Sequence, residues 1–185
     1  GLFLKNIVSK NKTKTLKVFQ SKNKRLKQKM DFKKTRKNII FIFRLNVKGQ
    51  TEEILLDKES ILDVRYISET PDDSNARATD LSVILEIKGK ILAAAGGDTE
   101  DDTRKVARWS LVPSESSDAY RQASLEIISA GQMVRKIDMT NVFVVDYIEE
   151  YGNQAGTGTF MLKIKQKKEK VKEVAIEGGY ASQEA

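Results

Sequence analysis

After residue 38, hydrophobic and polar positions alternate with a period of two over most of the chain. This is the spacing of strands that bury one face. The run "IIFIFRLNVKG" from Ile39 is dense in β-branched and aromatic residues and reads as a strand. "EEILL" and "ILDVRYI" predict two shorter strands around "DKES". "LSVILEIKGKI" puts Leu81, Val83, Leu85 and Ile87 on one face and Ser82, Glu86 and Lys88 on the other. Further on, "YRQASLEII" aligns Ala123, Leu125 and Ile127. "AGQ" at 130–132 is a tight turn, and "MVRKIDM" and "NVFVVDYIEEY" read as two successive strands. The second aligns Phe143, Val145 and Tyr147. "GTFMLKIKQK" sets Phe160, Leu162 and Ile164 against Lys163, Lys165 and Lys167, and "VKEVAIEGG" adds a last short strand.

One segment departs from this period. "GGDTEDDTRKVARWSLVP" runs from Gly96 to Pro113 and predicts a helix capped by Asp98 or Thr99. Asp101 and Asp102 fall in its first turn, and Arg104, Lys105 and Arg108 follow, an order that suits the helix dipole. Val106, Trp109 and Val112 share the face expected to meet the sheet. The acids lack the glycine and the closing glutamate of a calcium loop, so they are read as a helix start. Strands that follow one another without intervening helices imply a mainly β fold, an antiparallel β-barrel or sandwich with one flanking α-helix. Trp109, Leu125, Phe143 and Phe160 are its expected core anchors. The longest internal loop is "SETPDDSNARATD", residues 68–80.

Charge divides the chain. Residues 1–38 hold 14 Lys/Arg against the single acid Asp31, a net +13, while the other 147 residues hold 19 basic and 25 acidic residues, a net −6. We therefore read a basic arm over 1–38, one β domain over 39–177 and a tail over 178–185. The arm is expected to be disordered or partly helical when alone, and "MDFKKTRKNIIFIF" from Met30 resembles a natural protein start. A basic arm can engage nucleic acid or an anionic surface.

The composition also limits the chemistry. There are no cysteines and no histidines, which excludes disulfides, thiolate metal sites and Ser-His or Cys-His catalysis within this sequence. No apolar run approaches the roughly 20 residues of a membrane span, and no secretory signal is read, so a cytoplasmic start is expected. The glycines of "EEYGNQAGTGTFMLKIKQK" do not match a Walker loop or a dinucleotide loop, and a strand follows them, so they are read as a hairpin turn. Asp146 and Glu150 share a strand face with Ile148 and are read as a solvated strand end rather than a glycosidase pair. The lysines of "KIKQKKEK" are read as an edge-blunting face. No catalytic residue, cofactor or metal ligand is assigned.

"YRQASLEIISAG", Tyr120–Gly131, resembles the Tyr-x-Gln-Ala-x-Leu-x-Ile-x-x-Ala-Gly run that follows the single helix of Hcp, the tube protein of type VI secretion. "TNVFVVDYIEEYGNQAGTGTFMLKIKQK", Thr140–Lys167, resembles the family's next strand, Gly-rich turn and strand. The likeness spans residues 81–168, and phage and pyocin tail-tube proteins share the fold. It implies a small barrel whose copies form a hexameric ring, with rings stacked into a tube that contacts sheath, baseplate or hub proteins. Cytoplasmic assembly, or a place in a released or virion-like particle, goes with that role. In the family an early loop reaches the neighbouring subunit. Residues 68–80 hold that place here, so Asp72, Asp73, Ser74, Asn75, Arg77 and Thr79 are the expected subunit-interface residues. The basic arm is a departure from the family pattern.

Overall fold

The computed structural model describes residues 40–91, 102–153 and 156–179. Eight strands form one sheet: β1 Phe41–Lys48, β2 Glu53–Leu56, β3 Ile61–Glu69, β4 Ser82–Ile91, β5 Arg121–Ser129, β6 Gln132–Tyr151, β7 Gly158–Gln166 and β8 Ala175–Glu177. A one-turn helix α1 (Arg77–Asp80) precedes β4, and α2 (Thr103–Ser110) lies between β4 and β5. The strand order is β2-β1-β5-β6-β7-β4-β3, with β8 added on β6. Every pairing is antiparallel.

The period of two carries through to packing. Inward residues from both ends of the sheet enter one cluster: Leu45 and Val47, Ile54 and Leu56, Ile61, Leu85 and Ile87, Leu125, Ile137 and Met139, Leu162 and Ile164. A flat sheet could not bring β2 and Ile61 of β3 into the same core, so the sheet curls into a barrel around it. Burying each such aliphatic side chain stabilises the fold by about 1.5–3 kcal/mol. The helix α2 adds Val106 and Trp109 to that core. The Trp109 indole N–H donates to the Ala119 carbonyl at 3.0 Å, so the ring is buried without losing its polar partner. Gly89 marks the closest approach of the wall: a Cβ there would stand 2.0 Å from the Ser60 carbonyl oxygen.

The longest strand, β6, serves two partners in turn. Its first half pairs with β5 on one edge and β8 on the other, and its second half pairs with β7. A break at Thr140 is expected between two strands, yet β6 runs through it. The buried Gln166 explains this. Its amide accepts from the Asn141 N–H at 3.2 Å and donates to Thr140 Oγ1 at 3.0 Å and to the Lys170 carbonyl at 2.8 Å, filling the ladder where partners change.

Phe143 is not in the core. The β6–β7 register shifts between Val144 and Asp146, so a bulge resets the alternation. Val142 and Val144 face inward instead, and Phe143 lies half-buried on the outer face, edge-on to Tyr120 at 5.9 Å. Trp109, Leu125 and Phe160 are buried. Ser68 and Glu69 belong to β3 rather than to the loop. The lysines 163 and 165 do not blunt an edge, because β7 is an inner strand between β6 and β4. Asp102 stands at the N-cap position rather than in the first turn. Asp98, Thr99 and Asp101 lie outside the described residues, as do the basic arm 1–38 and residues 180–185.

Candidate functional site

Sheet edges expose unpaired backbone groups, so each edge must be covered or used. The edge of β2 is covered. The Asp102 carboxylate accepts the Leu55 N–H at 2.7 Å, and the Lys105 ammonium donates to the Glu53 carbonyl at 3.2 Å. Asp102 and Lys105 also pair with each other at 3.0 Å. The start of α2 thus stands in for a missing strand.

The two longest edges with no ladder partner among the described residues are the outer edge of β3, and the edge of β6 beyond Val142, where β5 ends. Large exposed hydrophobic side chains gather there. Leu62 and Tyr66 lie on β3, and Val145, Ile148 and Tyr151 on β6. Between them, on the outer face of β3-β4-β7-β6, lies a groove of about 340 Å³ bordered by Leu62, Lys88, Ile148 and Met161. Exposed apolar residues scattered singly need no explanation, but residues grouped along open edges point to contact with another chain.

The same outer face carries a row of alternating charge. Register places Asp146 opposite Lys163, Lys163 opposite Glu86, and Glu86 opposite Arg65. Glu86 binds Arg65 at 2.7 Å and Lys163 at 3.4 Å. The row above it is Phe143, Lys165, Ile84 and Ile67, and the row below is Ile148, Met161, Lys88 and Asp63. A second charge row, Arg44, Glu126, Lys136 and Glu177, crosses β1-β5-β6-β8. Cross-strand opposite charges each contribute a few tenths of a kcal/mol to about 1 kcal/mol and help to fix register.

The expected interface loop is a stapled knob. The Ser74 hydroxyl donates to Asp80, Arg77 donates to Thr70 Oγ1 at 2.9 Å, and the Thr79 hydroxyl donates to the Ala76 carbonyl at 3.0 Å. Lys168 pairs with Asp80 at 3.2 Å and ties the knob to the turn after β7. The Ser74 hydroxyl and the Lys168 ammonium hold the Asp80 carboxyl below its ordinary value of 3.8. Asp72, Asp73, Asn75, Arg77 and Thr79 stay exposed, while Ser74 is half-buried.

A clasp on the opposite side holds α2, the β1–β2 turn and the start of β5. Arg121 is 3 % exposed, with its guanidinium 5.2 Å from the centre of the Trp109 ring. It donates to Asp118 Oδ2 at 2.7 Å and to the Asp118 carbonyl at 3.1 Å, and reaches Glu52 at 3.4 Å. Glu52 also binds Arg108 at 3.0 Å. Partial burial pushes the Asp118 carboxyl up, but the Gln50 N–H and the Arg121 guanidinium outweigh it and leave it below 3.8. Among the described residues, no group of three or more His, Cys, Asp or Glu is placed to hold a metal ion, and no helix is long and apolar enough to cross a membrane.

The chain is similar to solved tube and injection-particle structures. It aligns with Hcp1 from Flavobacterium johnsoniae at 14% identity and a TM-score of 0.41, over 74% of this chain and 96% of that one. Hcp1 from Salmonella typhimurium aligns at 12% identity and a TM-score of 0.44, over 66% and 80%. A chain of the sheath–tube complex of the extracellular contractile injection system PVC aligns at 12% identity and a TM-score of 0.40, over 74% and 89%. No family model and no curated protein matches the chain. The antiparallel β architecture rests on the ladders described above.

The open edges were not visible in the sequence. Period-two patterning tells which face of a strand is buried but not which neighbour a strand lacks. Asp63, Arg65 and Glu86 gave no signal either, because a charged outer face is what any solvated sheet presents.

Proposed function

We propose that this chain is a non-enzymatic structural subunit that assembles with copies of itself into a ring or tube, in the manner of contractile injection particles. The observation that carries this reading is the four-strand run β6-β7-β4-β3. Its strands alternate in direction, and their number is even. Its two outer strands, β6 and β3, therefore run in opposite directions. A plain rotation, with no flip, brings β3 of one copy antiparallel to the open edge of β6 in the next. Such a contact is heterologous; it closes into a ring, or climbs into a tube, as the rotation dictates. Leu62, Tyr66, Val145, Ile148 and Tyr151 are exposed on these two strands, and the knob at 70–81 adds a contact through Asp72, Asp73, Asn75, Arg77 and Thr79. The likeness of Tyr120–Gly131 and Thr140–Lys167 to Hcp supports a hexameric ring, cytoplasmic assembly and sheath, baseplate or hub partners.

Light scattering coupled to gel filtration tests the reading directly. The full chain at tens of micromolar should run as a multimer, with rings visible by negative-stain electron microscopy. A monomer at that concentration would overturn it. A second reading, a binding module for nucleic acid or an anionic surface, draws on the +13 of residues 1–38. Binding to duplex DNA that falls steeply with added salt, in a monomeric protein, would favour it.

A further inference from the structure

The knob at 70–81 has a seat on the next copy, and the start of β5 decides where it lies. This inference rests on the proposed assembly and adds the surface that receives the knob. β5 begins at Arg121, opposite Val142, and Tyr120 packs edge-on to Phe143 at 5.9 Å. Together they close the edge of β6 at that point. β3 is nine residues long, so a neighbour's β3 laid along the open edge from Tyr151 stops beside the bulge at Val144, before it meets Tyr120. The knob begins where that strand stops.

The tip of the knob is acidic and held in shape. Asp72 and Asp73 are the central pair of a turn closed by the Ser74 N–H on the Pro71 carbonyl at 2.9 Å. The Ser74 hydroxyl accepts the Ala76 N–H at 3.1 Å and donates to Asp80, so little order remains to be gained on contact. Asp72 and Asp73 are exposed and have no ion-pair partner among the described residues. Gln122 stands between the paired positions Arg121–Val142 and Ala123–Met139, about 13 Å back along β6 from Val144. The three or four residues past Glu69, with the reach of the side chains at either end, cover that span.

We infer that Asp72 and Asp73 of one copy seat in the polar groove on the outer face of β1-β5-β6 of the next, against Lys48. The groove measures about 430 Å³ and is bordered by Lys48, Gln122, Ser124, Lys136 and Thr140. Its other cations are occupied: Arg44 pairs with Glu126 at 3.1 Å, and Lys136 with Asp138 at 3.6 Å. Lys48 is exposed and has no ion-pair partner among the described residues. Glu53 stands opposite it in register but accepts from the Asn46 amide at 2.8 Å instead. Lys48 lies opposite Gln122, at the level where the knob arrives, and an ammonium beside neutral donors suits two adjacent carboxylates. The partner is a second copy of this chain, because the rotation that joins β3 to β6 carries the knob to this groove.

Charge reversal and cross-linking test this together. Lys48→Glu alone, or Asp72→Lys with Asp73→Lys, should raise the concentration needed for assembly about tenfold or more, since each brings like charges together. The combined variant K48E/D72K/D73K should recover assembly to near the native concentration. Thermal unfolding of each variant checks that the fold is kept. The native sequence has no cysteine, so engineered thiols report cleanly and decide the matter if a reversal unfolds the chain. Asp73→Cys combined with Gln122→Cys should yield disulfide-linked multimers, and Asp73→Cys with Lys88→Cys, on the outer face of β4, should not. Native assembly that is indifferent to either reversal, a combined variant that folds but stays apart, or cross-linking through position 88 would overturn the seat while leaving self-assembly intact. A native chain that remains monomeric would overturn both.

Discussion

The two outer strands of the main sheet path, β2 and β3, meet the same physical problem and solve it differently. β2 is four residues long, and its outer edge is occupied by Asp102 and Lys105 from its own chain. β3 is nine residues long, carries Leu62 and Tyr66 in the open, and has no such cover. The clasp around Arg121 and Trp109 holds α2 on the β2 side, while only a stapled knob adjoins β3. A chain able to seal one edge with a carboxylate and an ammonium has left the longer edge bare. In a natural protein an edge of that length and apolarity marks a place for another strand.

Unsealing β2 should make the two edges alike, and Trp109→Ala is the severest way to do it. It removes the largest anchor of α2 and leaves the Ala119 carbonyl without its donor, so urea unfolding should show a loss of about 3–5 kcal/mol. Irregular aggregates should appear alongside ordered multimers. Unchanged stability would mean that α2 is held from elsewhere. Arg121→Met strikes the same side more gently. Asp118 and Glu52 lose their buried partner but keep partial access to water, so a loss of about 2–3 kcal/mol is expected.

That variant also has a signature in pH. The folded-state carboxyl of Asp118 titrates below its ordinary 3.8. Its contribution is therefore present above that value and is lost as pH falls through the folded-state value. In Arg121→Met the loss should begin at higher pH than in the native protein, and melting curves between pH 5 and pH 2 would show it. Asp102→Ala should cost about 1–2 kcal/mol by orphaning the Leu55 N–H, whereas Asp102→Asn, which keeps an acceptor, should cost less. Hydrogen exchange at Leu55 would separate the two. The smallest effect belongs to the open side. Asp80→Asn should leave the melting temperature unchanged and speed exchange at Ala76, Thr79 and Leu81, because only the staple of the knob is cut.

The legible part of this fold was its alternation. The inward faces of β4, β5 and β7 follow directly from Val83-Leu85-Ile87, Ala123-Leu125-Ile127 and Phe160-Leu162-Ile164. The hairpin at Gly152–Gly158 follows from glycines between two alternating runs. Phe143 was misplaced because a bulge adds one residue and nothing in "NVFVVDY" announces it. The break expected at Thr140 failed because Gln166, 25 residues away from Asn141, supplies the missing acceptor. The candidate site was harder still. Which edge stays open depends on Asp102 reaching Leu55, a contact 47 residues apart in the chain. Local pattern carries no trace of such pairings.

The position of β1 has a consequence in time. β1 ends at Lys48, and its partner β5 ends at Ser129. At synthesis rates of about 5–20 residues per second, the β1–β2 hairpin, complete at Leu56, waits roughly 4–15 s for the strand that completes its other side. During that interval Phe43, Leu45 and Val47 lack β5, the strand that pairs along the whole of β1, and so large a sequence separation also slows closure once β5 exists. The nascent chain thus passes through a stage in which a hairpin with an incomplete core is exposed to the cell. Chaperone dependence during translation should be set by residues 41–56 rather than by the edges that remain open in the finished protein.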